Sequence, residues 1–365
     1  MRILFVLPGF HRVNRGAEVA LEAVATAIAG DQNDQVTLMG SGPPRASCPY
    51  AYRQVASVRR EKFERMPQPP FFRDEGMYEE LTFAPGLLRA FDPKDFDVTV
   101  TCSYPYVNWV LRRGRSGPKH VFVTQNGDWP AQRLNAEYRF FGCDGLVCTN
   151  PDFYDRNQAR WPSALIPNGV DVGRFSPGVG DREEFGIPPD RPIVLMVSAL
   201  IAGKRVLEAI ESVSRVSDAH LVVAGDGPMR DRVDRLASEL LPERFTRLTA
   251  PADRMGALFR CADLFLHTTL HESFGNVYIE ALATGLPVVA HRSSSTEWIL
   301  GEYADLVDTS QPDVLARAIE DGLRNPVEDV AARAASAAER FSWERIGADY
   351  RAFLGQVTSG VLAPR

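Results

Sequence analysis

The sequence has few lysines, few cysteines and no long apolar run. Its 365 residues include 41 basic residues, of which four are lysines, and only five cysteines. The cysteines are odd in number and form no C-x-x-C pair, which argues against a disulfide framework and a zinc site. No stretch approaches the ~18 consecutive apolar residues of a spanning helix. These shortages favour a soluble, cytoplasmic protein without a structural metal.

Charge is unevenly divided along the chain, although the net value is only -6. Residues 1–170 carry 20 basic and 18 acidic side chains, whereas residues 171–365 carry 21 and 29. An acidic net charge argues against general nucleic-acid binding.

An apolar content of 45% excludes a disordered chain, and the length predicts about two domains.

Short apolar runs alternate with helical patterns, as in parallel sheets flanked by helices. We therefore predict two Rossmann-like α/β domains that face a central cleft. The predicted strands are Ile3–Leu7, Val98–Thr101, Val121–Thr124, Leu146–Thr149 and Ala164–Ile166, and then Ile193–Val197, Leu221–Ala224, Leu264–His267, Pro287–Ala290 and Leu306–Asp308.

The alternation stops over residues 171–192, which are dense in Gly, Pro and charged residues and are predicted to be a linker. The predicted domains are therefore residues 1–170 and residues 193–341, followed by a C-terminal segment over residues 342–358.

The most informative segment is HESFGNVYIEALATGLPVVA at residues 271–290. Gly275 and Asn276 are predicted to begin a helix that Gly285 ends, with Glu272 in the preceding loop and Glu280 about one turn inside. The N–H groups of a helix start can hold a phosphate, and carboxylates on each side can accept hydrogen bonds from sugar hydroxyls. Without further support, a carboxylate that merely favours the helix dipole explains the spacing equally well.

This segment resembles the E-x7-E signature of retaining glycosyltransferase family 4, which has the GT-B fold. Three further segments resemble that family in the same order along the chain. They are the glycine loop Asn14-Arg15-Gly16-Ala17-Glu18, the domain-joining segment Ile166 to Asp171 with Arg174 and Phe175, and the helix start Phe341-Ser342-Trp343-Glu344.

The resemblance implies that residues 1–170 form the acceptor-side domain and that residues 193–341 bind the nucleotide sugar. It also implies that residues 342–358 form a C-terminal helix that crosses back to the N-terminal domain, and it implies a role for each matching residue. Glu272 would contact the donor sugar, Glu280 would bind the nucleotide ribose, and Lys204 would neutralise the leaving diphosphate. The remaining implied donor contacts are Gly16 and the backbone groups of Phe274, Gly275, Asn276 and Val277.

Two positions depart from the family pattern. Ala199 stands where an arginine usually accompanies the lysine, and Gln125 or Asn126 stands where a histidine usually faces the sugar. An amide can hydrogen-bond a hydroxyl but cannot carry a proton or charge. Gln125 and Asn126 are therefore candidate contacts to the acceptor or the sugar, without an acid-base role.

Other features have structural interpretations. His267 and His271 are interpreted as packing or edge residues, and no cluster has metal-ligand spacing. Gly225-Asp226-Gly227 is interpreted as a strand-to-helix turn, because no third glycine follows at dinucleotide spacing. A basic run, consisting of Arg53, Arg59, Arg60, Lys62 and Arg65, is interpreted as a solvated face, with peripheral contact to an anionic membrane or a phosphorylated acceptor as the alternative.

The resemblance implies a hexosyltransferase that moves sugar from a nucleotide-diphosphate donor to an acceptor hydroxyl with retention. The acceptor would be lipid-linked or a small molecule, and no metal or other cofactor is expected. Only Asp128 is even a remote candidate for a protein nucleophile, so a covalent intermediate is not supported. The alternatives are a nucleotide-sugar-binding partner protein without turnover and a nucleotide-sugar epimerase.

Overall fold

The chain is described from a computed structural model that covers residues 1–30, 33–63, 66, 75–114, 117–132, 139–324 and 329–361. It divides into two compact units. Unit 1 comprises Met1–Asn168 and Trp343–Arg365, and unit 2 comprises Gly169–Ser342. None of the helices in the described ranges is both long enough and apolar enough to cross a bilayer.

Unit 1 is built on a parallel sheet whose strand order is β3-β2-β1-β4-β5-β6-β7 in the described residues. The strands are β1 Arg2–Val6, β2 Gln35–Gly40, β3 Ala51–Gln54, β4 Val98–Thr101, β5 Lys119–Val123, β6 Gly145–Cys148 and β7 Ser163–Leu165. Its helices are α1 Gly16–Ala29, α2 Glu75–Ala90, α3 Tyr106–Leu111, α4 Pro151–Asn157 and α12 Trp343–Ser359.

Unit 2 contains a second parallel sheet, with the order β10-β9-β8-β11-β12-β13 in the described residues. Its strands are β8 Ile193–Val197, β9 His220–Ala224, β10 Phe245–Leu248, β11 Leu264–His267, β12 Val288–His291 and β13 Ala304–Val307. Its helices are α5 Val206–Ser214, α6 Arg230–Leu240, α7 Met255–Phe259, α8 Asn276–Ala283, α9 Ser294–Leu300, α10 Pro312–Arg324 and α11 Val330–Phe341.

Strand β8 shows why the central strands are continuous apolar runs. Ile193 and Leu195 pack into one core cluster, whereas Val194 and Met196 pack into another on the opposite face. A parallel sheet covered by helices on both faces buries every side chain of its central strands. The prediction of two α/β domains with parallel sheets is therefore confirmed.

Residues 171–192, predicted to be a linker, lie in unit 2. Phe175 and Ile187 are 2% and 3% exposed and belong to the core of that unit. Phe175 packs edge-on against Phe259, with 5.5 Å between ring centroids. The Gly and Pro content therefore breaks regular structure here without detaching the segment from the core.

Helix α12 packs against α1 at a glycine. A Cβ atom on Gly347 would lie 2.6 Å from the Cβ atom of Ala27, which is closer than real Cβ contacts. Gly355, on the same helix, has open space at the corresponding position. The close approach of α12 and α1 therefore requires glycine at position 347 and not at position 355.

We expect Gly347→Ala to lower the free energy of unfolding of unit 1 by about 1–3 kcal/mol, the cost of overpacking a fitted contact. Gly355→Ala is the matched control, and it should leave stability unchanged or raise it by up to about 1 kcal/mol because alanine is the better helix former. Urea unfolding followed by circular dichroism measures both variants. Equal effects from the two substitutions would contradict the packing argument.

Candidate active site

Lys204 lies at the carboxyl edge of the sheet of unit 2. After β8 the chain makes a short 3-10 turn over Ala202–Lys204 and then enters α5. The Thr268 hydroxyl, at the end of β11, donates a hydrogen bond of 3.0 Å to the Lys204 carbonyl. The neighbouring strands β8 and β11 thus fix the backbone on which Lys204 is carried.

The Gly225-Asp226-Gly227 turn supports the same segment from the other side. A Cβ atom on Gly225 would lie 1.9 Å from the Ser198 carbonyl oxygen, and one on Gly227 would lie 2.6 Å from the Leu200 carbonyl oxygen. The Leu200 N–H also donates to the Asp226 carbonyl at 3.0 Å. Both glycines are required because this turn packs directly on the backbone that leads to Lys204.

The helix predicted between Gly275 and Gly285 is present as α8. Gly275 precedes the helix with φ +78°, and Gly285 follows it with the same φ. A Cβ atom on Gly275 would lie 2.6 Å from the Tyr278 ring and 2.9 Å from Cγ of Glu272. Gly275 therefore permits both the left-handed backbone and the close approach of Glu272 to the helix start.

Lys204 and Glu272 form an ion pair between Nζ and Oε2. The two side chains are 25% and 20% exposed, so both can reach a ligand. His267, the last residue of β11, lies beneath them with its Nε2 atom 3.5 Å from the same carboxylate oxygen. Burial opposes ionisation of Glu272, but the His267 hydrogen bond and the Lys204 charge lower its pKa to about 2.

Glu280 lies inside α8 and has a different electrostatic environment. Burial raises the pKa of its carboxyl to about 7, and the charge of Arg174 opposes that rise only in part. Within the described part of the chain, the Glu280 carboxyl makes no hydrogen bond. It can therefore accept hydrogen bonds from a ligand.

The titration of Glu280 predicts a pH-dependent stability. Above its ordinary pKa of ~4.3 the unfolded carboxyl is ionised, whereas the folded one keeps its proton up to about pH 7, so stability falls as the pH rises through this window. We expect Glu280→Gln to gain thermal stability relative to the natural chain between about pH 5 and about pH 8. Glu239→Gln, an exposed position, is the control and should show no such gain. If the difference in thermal stability between Glu280→Gln and the natural chain does not change with pH, the raised pKa of Glu280 is contradicted.

The backbone at the start of α8 is the third element of the candidate site. The Phe274 side chain is 3% exposed and packs edge-on near Trp298 and Phe341. Of the four residues expected to bind the donor here, Phe274 can therefore contribute only its backbone. Asn276 and Val277 are the first two residues of the helix, where the positive end of the helix dipole lies.

The candidate residues of unit 1 lie at the carboxyl edge of its own sheet. Gly16 begins α1, and a Cβ atom there would meet nothing within 4 Å. The fold therefore leaves room beside Gly16. The side-chain amide of Gln125, just beyond β5, is paired reciprocally with that of Asn168. Asn126 is exposed and its amide lies 3.8 Å from Sγ of Cys102.

Asp128 is held by its neighbours. It is 3% exposed, and Arg156 donates two hydrogen bonds of 3.1 Å to its carboxylate. The amides of Asn157 and Gln132 donate at 2.8 Å each. Every part of the carboxylate is thus engaged within unit 1, which suits a structural role.

The basic run at residues 53–65 is partly neutralised. Arg53 pairs with Asp95 at 3.3 Å, and the Arg60 side chain lies 3.9 Å from the Glu61 carboxylate. Arg65, the last member of the run, lies outside the described residues. These ion pairs reduce the net positive charge that Arg53 and Arg60 present.

Sequence reasoning missed two contributors to the site. His267 was interpreted as a packing or edge residue, yet it both packs and contacts Glu272. Arg174 falls in the segment predicted to be a linker, yet its charge acts on Glu280. His267 lies outside the quoted motifs, and the domain-joining segment that contains Arg174 gives no sign in the sequence of a contact with Glu280. Across the described ranges, no group of three or more His, Cys, Asp or Glu side chains could hold a metal ion.

Two α/β units, each built on a parallel sheet with helices around it, form the architecture of the GT-B glycosyltransferases. Residues 14–174 match the model of Glycosyltransferase Family 4, and residues 180–341 match that of Glycosyl transferases group 1. The chain belongs to this glycosyltransferase family.

Two curated relatives illustrate the similarity. The chain is 34% identical over 269 residues to a GDP-mannose-dependent alpha-(1-6)-phosphatidylinositol monomannoside mannosyltransferase of Mycolicibacterium smegmatis, covering 64% of this chain and 69% of that one. It is 31% identical over 203 residues to the lipopolysaccharide core biosynthesis glycosyltransferase LpsE of Rhizobium meliloti, covering 54% and 58%. The chain spans about three fifths of the length of the first curated relatives it matches.

Solved structures share the whole fold. Sucrose-phosphate synthase from Thermosynechococcus elongatus aligns with a TM-score of 0.81 at 19% identity, covering 98% of this chain and 99% of that one. Anabaena HepE in complex with UDP and glucose aligns with a TM-score of 0.74 at 18% identity, covering 98% and 100%. At these identities the likeness establishes the GT-B fold.

Proposed function

We propose that the protein is a retaining hexosyltransferase that moves a hexosyl unit from a nucleoside-diphosphate sugar to an acceptor hydroxyl. The observation that carries the proposal is the Lys204–Glu272 ion pair beside the start of α8, with Glu280 on the same helix. This arrangement supplies a cation that can bind the diphosphate and two carboxylates that can accept hydrogen bonds from hydroxyl groups, all beside the same sheet. Family membership supports the same chemistry.

The two glutamates are suited to different contacts. Glu272, with a pKa of about 2, is a permanent anion and a strong acceptor for sugar hydroxyls. Glu280, with a pKa of about 7, lies inside a helix and is assigned to the ribose. Lys204 stabilises the charge that grows on the diphosphate as the glycosidic bond breaks.

Retention without a protein nucleophile is the proposed stereochemical course. A double-displacement mechanism needs a free carboxylate near the anomeric carbon. Asp128, the remote candidate in unit 1, is fully engaged by Arg156 and its other partners. The departing diphosphate would instead take the proton of the acceptor on the same face as the leaving group.

No metal or other cofactor is part of the proposal. Lys204 and the N–H groups at the start of α8 supply positive charge where other enzymes use a divalent ion. Turnover should therefore be unchanged by a metal chelator.

The donor is proposed to be a UDP- or GDP-linked hexose, on the basis of names given to similar proteins. One structural relative is complexed with UDP and glucose, and one curated relative is GDP-mannose-dependent. That curated relative acts on a phosphatidylinositol mannoside, so a lipid-linked acceptor is considered beside a small molecule.

Peripheral membrane contact through unit 1 is part of the same proposal, and an exposed aromatic pair supports it. Trp109 and Phe140 are 42% and 64% exposed, and their ring centroids are 6.3 Å apart. The Trp109 indole N–H donates to the Phe140 carbonyl at 3.2 Å, which holds the pair together. The exposed Arg139 directly precedes Phe140 in the sequence. Aromatic rings with an adjacent cation suit the interface of an anionic bilayer.

We expect the double substitution Trp109→Ala and Phe140→Ala to weaken binding to phosphatidylglycerol vesicles by about tenfold or more, because each large apolar side chain contributes about 1.5–3 kcal/mol when fully buried. Val179→Ala, at a 99% exposed apolar position in unit 2, serves as the control. Vesicle flotation measures the bound fraction. Unchanged binding in the double variant would place any membrane contact elsewhere.

The test of the proposed function is product formation with a panel of nucleotide sugars, including UDP-glucose and GDP-mannose, and hydroxyl acceptors. We expect a glycosylated product whose anomeric configuration, read by nuclear magnetic resonance, matches that of the donor. An inverted product would contradict the mechanism. Donor binding without turnover would favour a partner protein, to which Ala199 and the absent histidine point. Free nucleotide without acceptor-linked product would favour an epimerase.

A further inference from the structure

His267 occupies a buried position directly beneath the candidate site. It is 1% exposed and is the last residue of β11. Its ring stacks on Phe265 and meets the Tyr278 ring edge-on, with 5.1 Å between the latter centroids. The Nε2 atom is 3.5 Å from Oε2 of Glu272 and 3.1 Å from Oγ1 of Thr269.

The surroundings of the two ring nitrogens indicate where the proton lies. Burial lowers the pKa of His267, which favours the neutral ring with one N–H group. The Nδ1 atom is buried and has no hydrogen-bond partner among the described residues. A proton on Nδ1 would leave a donor unsatisfied and direct the Nε2 lone pair at a carboxylate. A proton on Nε2 is directed at Glu272 and Thr269.

We propose that His267 is a positioning residue, whose Nε2–H group holds one oxygen of Glu272 so that the other faces the ligand. Lys204 binds the same oxygen, Oε2, from the turn after β8. In the described part of the chain Oε1 of Glu272 makes no hydrogen bond, which leaves it for a sugar hydroxyl. This inference rests on the proposed function, because it gives Glu272 the role of a sugar contact.

Three titratable or charged groups face Glu272 in the described residues. Lys204 approaches from the turn after β8, His267 from β11 and Tyr278 from α8. Lys204 and His267 favour the ionised carboxylate, whereas burial opposes it. Removal of the His267 donor therefore raises the pKa of Glu272 and moves the loss of activity in acid to a higher pH.

The unit also contains a matched control. His220 is 4% exposed, its Nε2 atom is 2.8 Å from a threonine hydroxyl, and its Nδ1 atom has no partner among the described residues. It is the first residue of β9, at the amino edge of the same parallel sheet, whereas His267 is at the carboxyl edge. His220→Leu removes an equivalent ring and hydrogen bond away from Glu272.

The experiment follows the side-chain carboxyl of Glu272 by carbon-13 nuclear magnetic resonance during an acid titration, with Glu272→Gln to assign the signal. We expect His267→Leu to raise the Glu272 midpoint by about 1 pH unit or more, since it removes a hydrogen bond to the charged form. His267→Gln should restore the midpoint, because its amide N–H can reach the position of Nε2. His267→Asn, whose shorter amide corresponds to Nδ1, should not. His220→Leu should leave the midpoint unchanged.

Turnover provides the second readout, with UDP-glucose or GDP-mannose as the donor. We expect His267→Leu to lower kcat by about 10-fold to 100-fold, the range for partners that orient metal ligands. His267→Gln should recover most of it. Equal Glu272 midpoints in all His267 and His220 variants would overturn the positioning role. If His267→Leu fails to fold, the contrast between His267→Gln and His267→Asn decides the matter. If Glu272→Gln turns over as fast as the natural protein, the proposed function itself is refuted.

Discussion

Replacement of Lys204 by alanine is expected to lower kcat by about 100-fold or more while changing donor affinity little. The negative charge that Lys204 meets is greatest as the diphosphate leaves, so the ammonium stabilises the transition state more than the bound donor. Lys204 also lowers the pKa of Glu272, so its loss weakens a second element of the site. Steady-state kinetics with the preferred donor separate kcat from KM.

Lys119→Ala is the matched control for this prediction. Lys119 also forms an ion pair, with Asp144 at 3.1 Å, but it lies in unit 1 on the exposed start of β5. Its removal tests whether loss of an ion-paired lysine in itself reduces turnover. An unchanged kcat with only a raised KM in Lys204→Ala would reject the role of Lys204 at the leaving group.

The second large effect separates the two glutamates. If Glu280 holds the ribose, Glu280→Ala weakens binding of both free nucleotide and nucleotide sugar by about 1.5–3 kcal/mol, the scale of hydrogen bonds to a charged group. If Glu272 holds the sugar, Glu272→Ala leaves free nucleotide binding nearly unchanged and damages transfer. Calorimetric titration of UDP and GDP measures both variants.

The contrast between these variants guards against a general loss of structure. Glu272 and Glu280 flank the same helix start, so destabilisation of α8 would weaken nucleotide binding in both variants. Destabilisation of α8 cannot weaken nucleotide binding in Glu280→Ala while leaving it unchanged in Glu272→Ala. Equal losses for free nucleotide in both, or no loss in either, would return the pair to a purely structural interpretation.

The sheet cores were predictable because parallel strands buried on both faces are continuous apolar runs. Strands such as β8 and β11 were predicted from their residues alone, with the same bounds. Strands β2, β3 and β10 were missed. All four residues of β10 are only partly buried, and β3 and β10 are edge strands with a neighbour on one side only. These two strands bury too little to leave an apolar run in the sequence, whereas nothing of this kind explains the missed interior strand β2.

The parts of the site that depend on a local sequence pattern were predictable. The glycines that flank α8 and the placement of Glu272 before it follow from turn and helix-end chemistry. The contact between Lys204 and Glu272 does not, since 68 residues separate them. It follows from the adjacency of β8 and β11 in the sheet, which strand order alone establishes. The role of His267 could not be predicted from a local pattern either, because it depends on the contact between its Nε2 atom and the Glu272 carboxylate.

The burial of residues within the predicted linker could not be foreseen for a related reason. Gly and Pro density over residues 171–192 indicates irregular backbone, but it does not indicate whether that backbone is packed. The buried Phe175 and Ile187 show that it is. Single apolar residues in an irregular segment have no period from which burial could be inferred.

A crystal structure with a bound nucleoside-diphosphate sugar tests the central claim most directly. The account predicts the diphosphate beside Lys204 and the start of α8, with ribose hydroxyls about 2.6–3.2 Å from the Glu280 carboxylate. A sugar hydroxyl should lie within the same distance of Glu272. A nucleotide bound away from α8, with Glu280 in contact with solvent only, would contradict it.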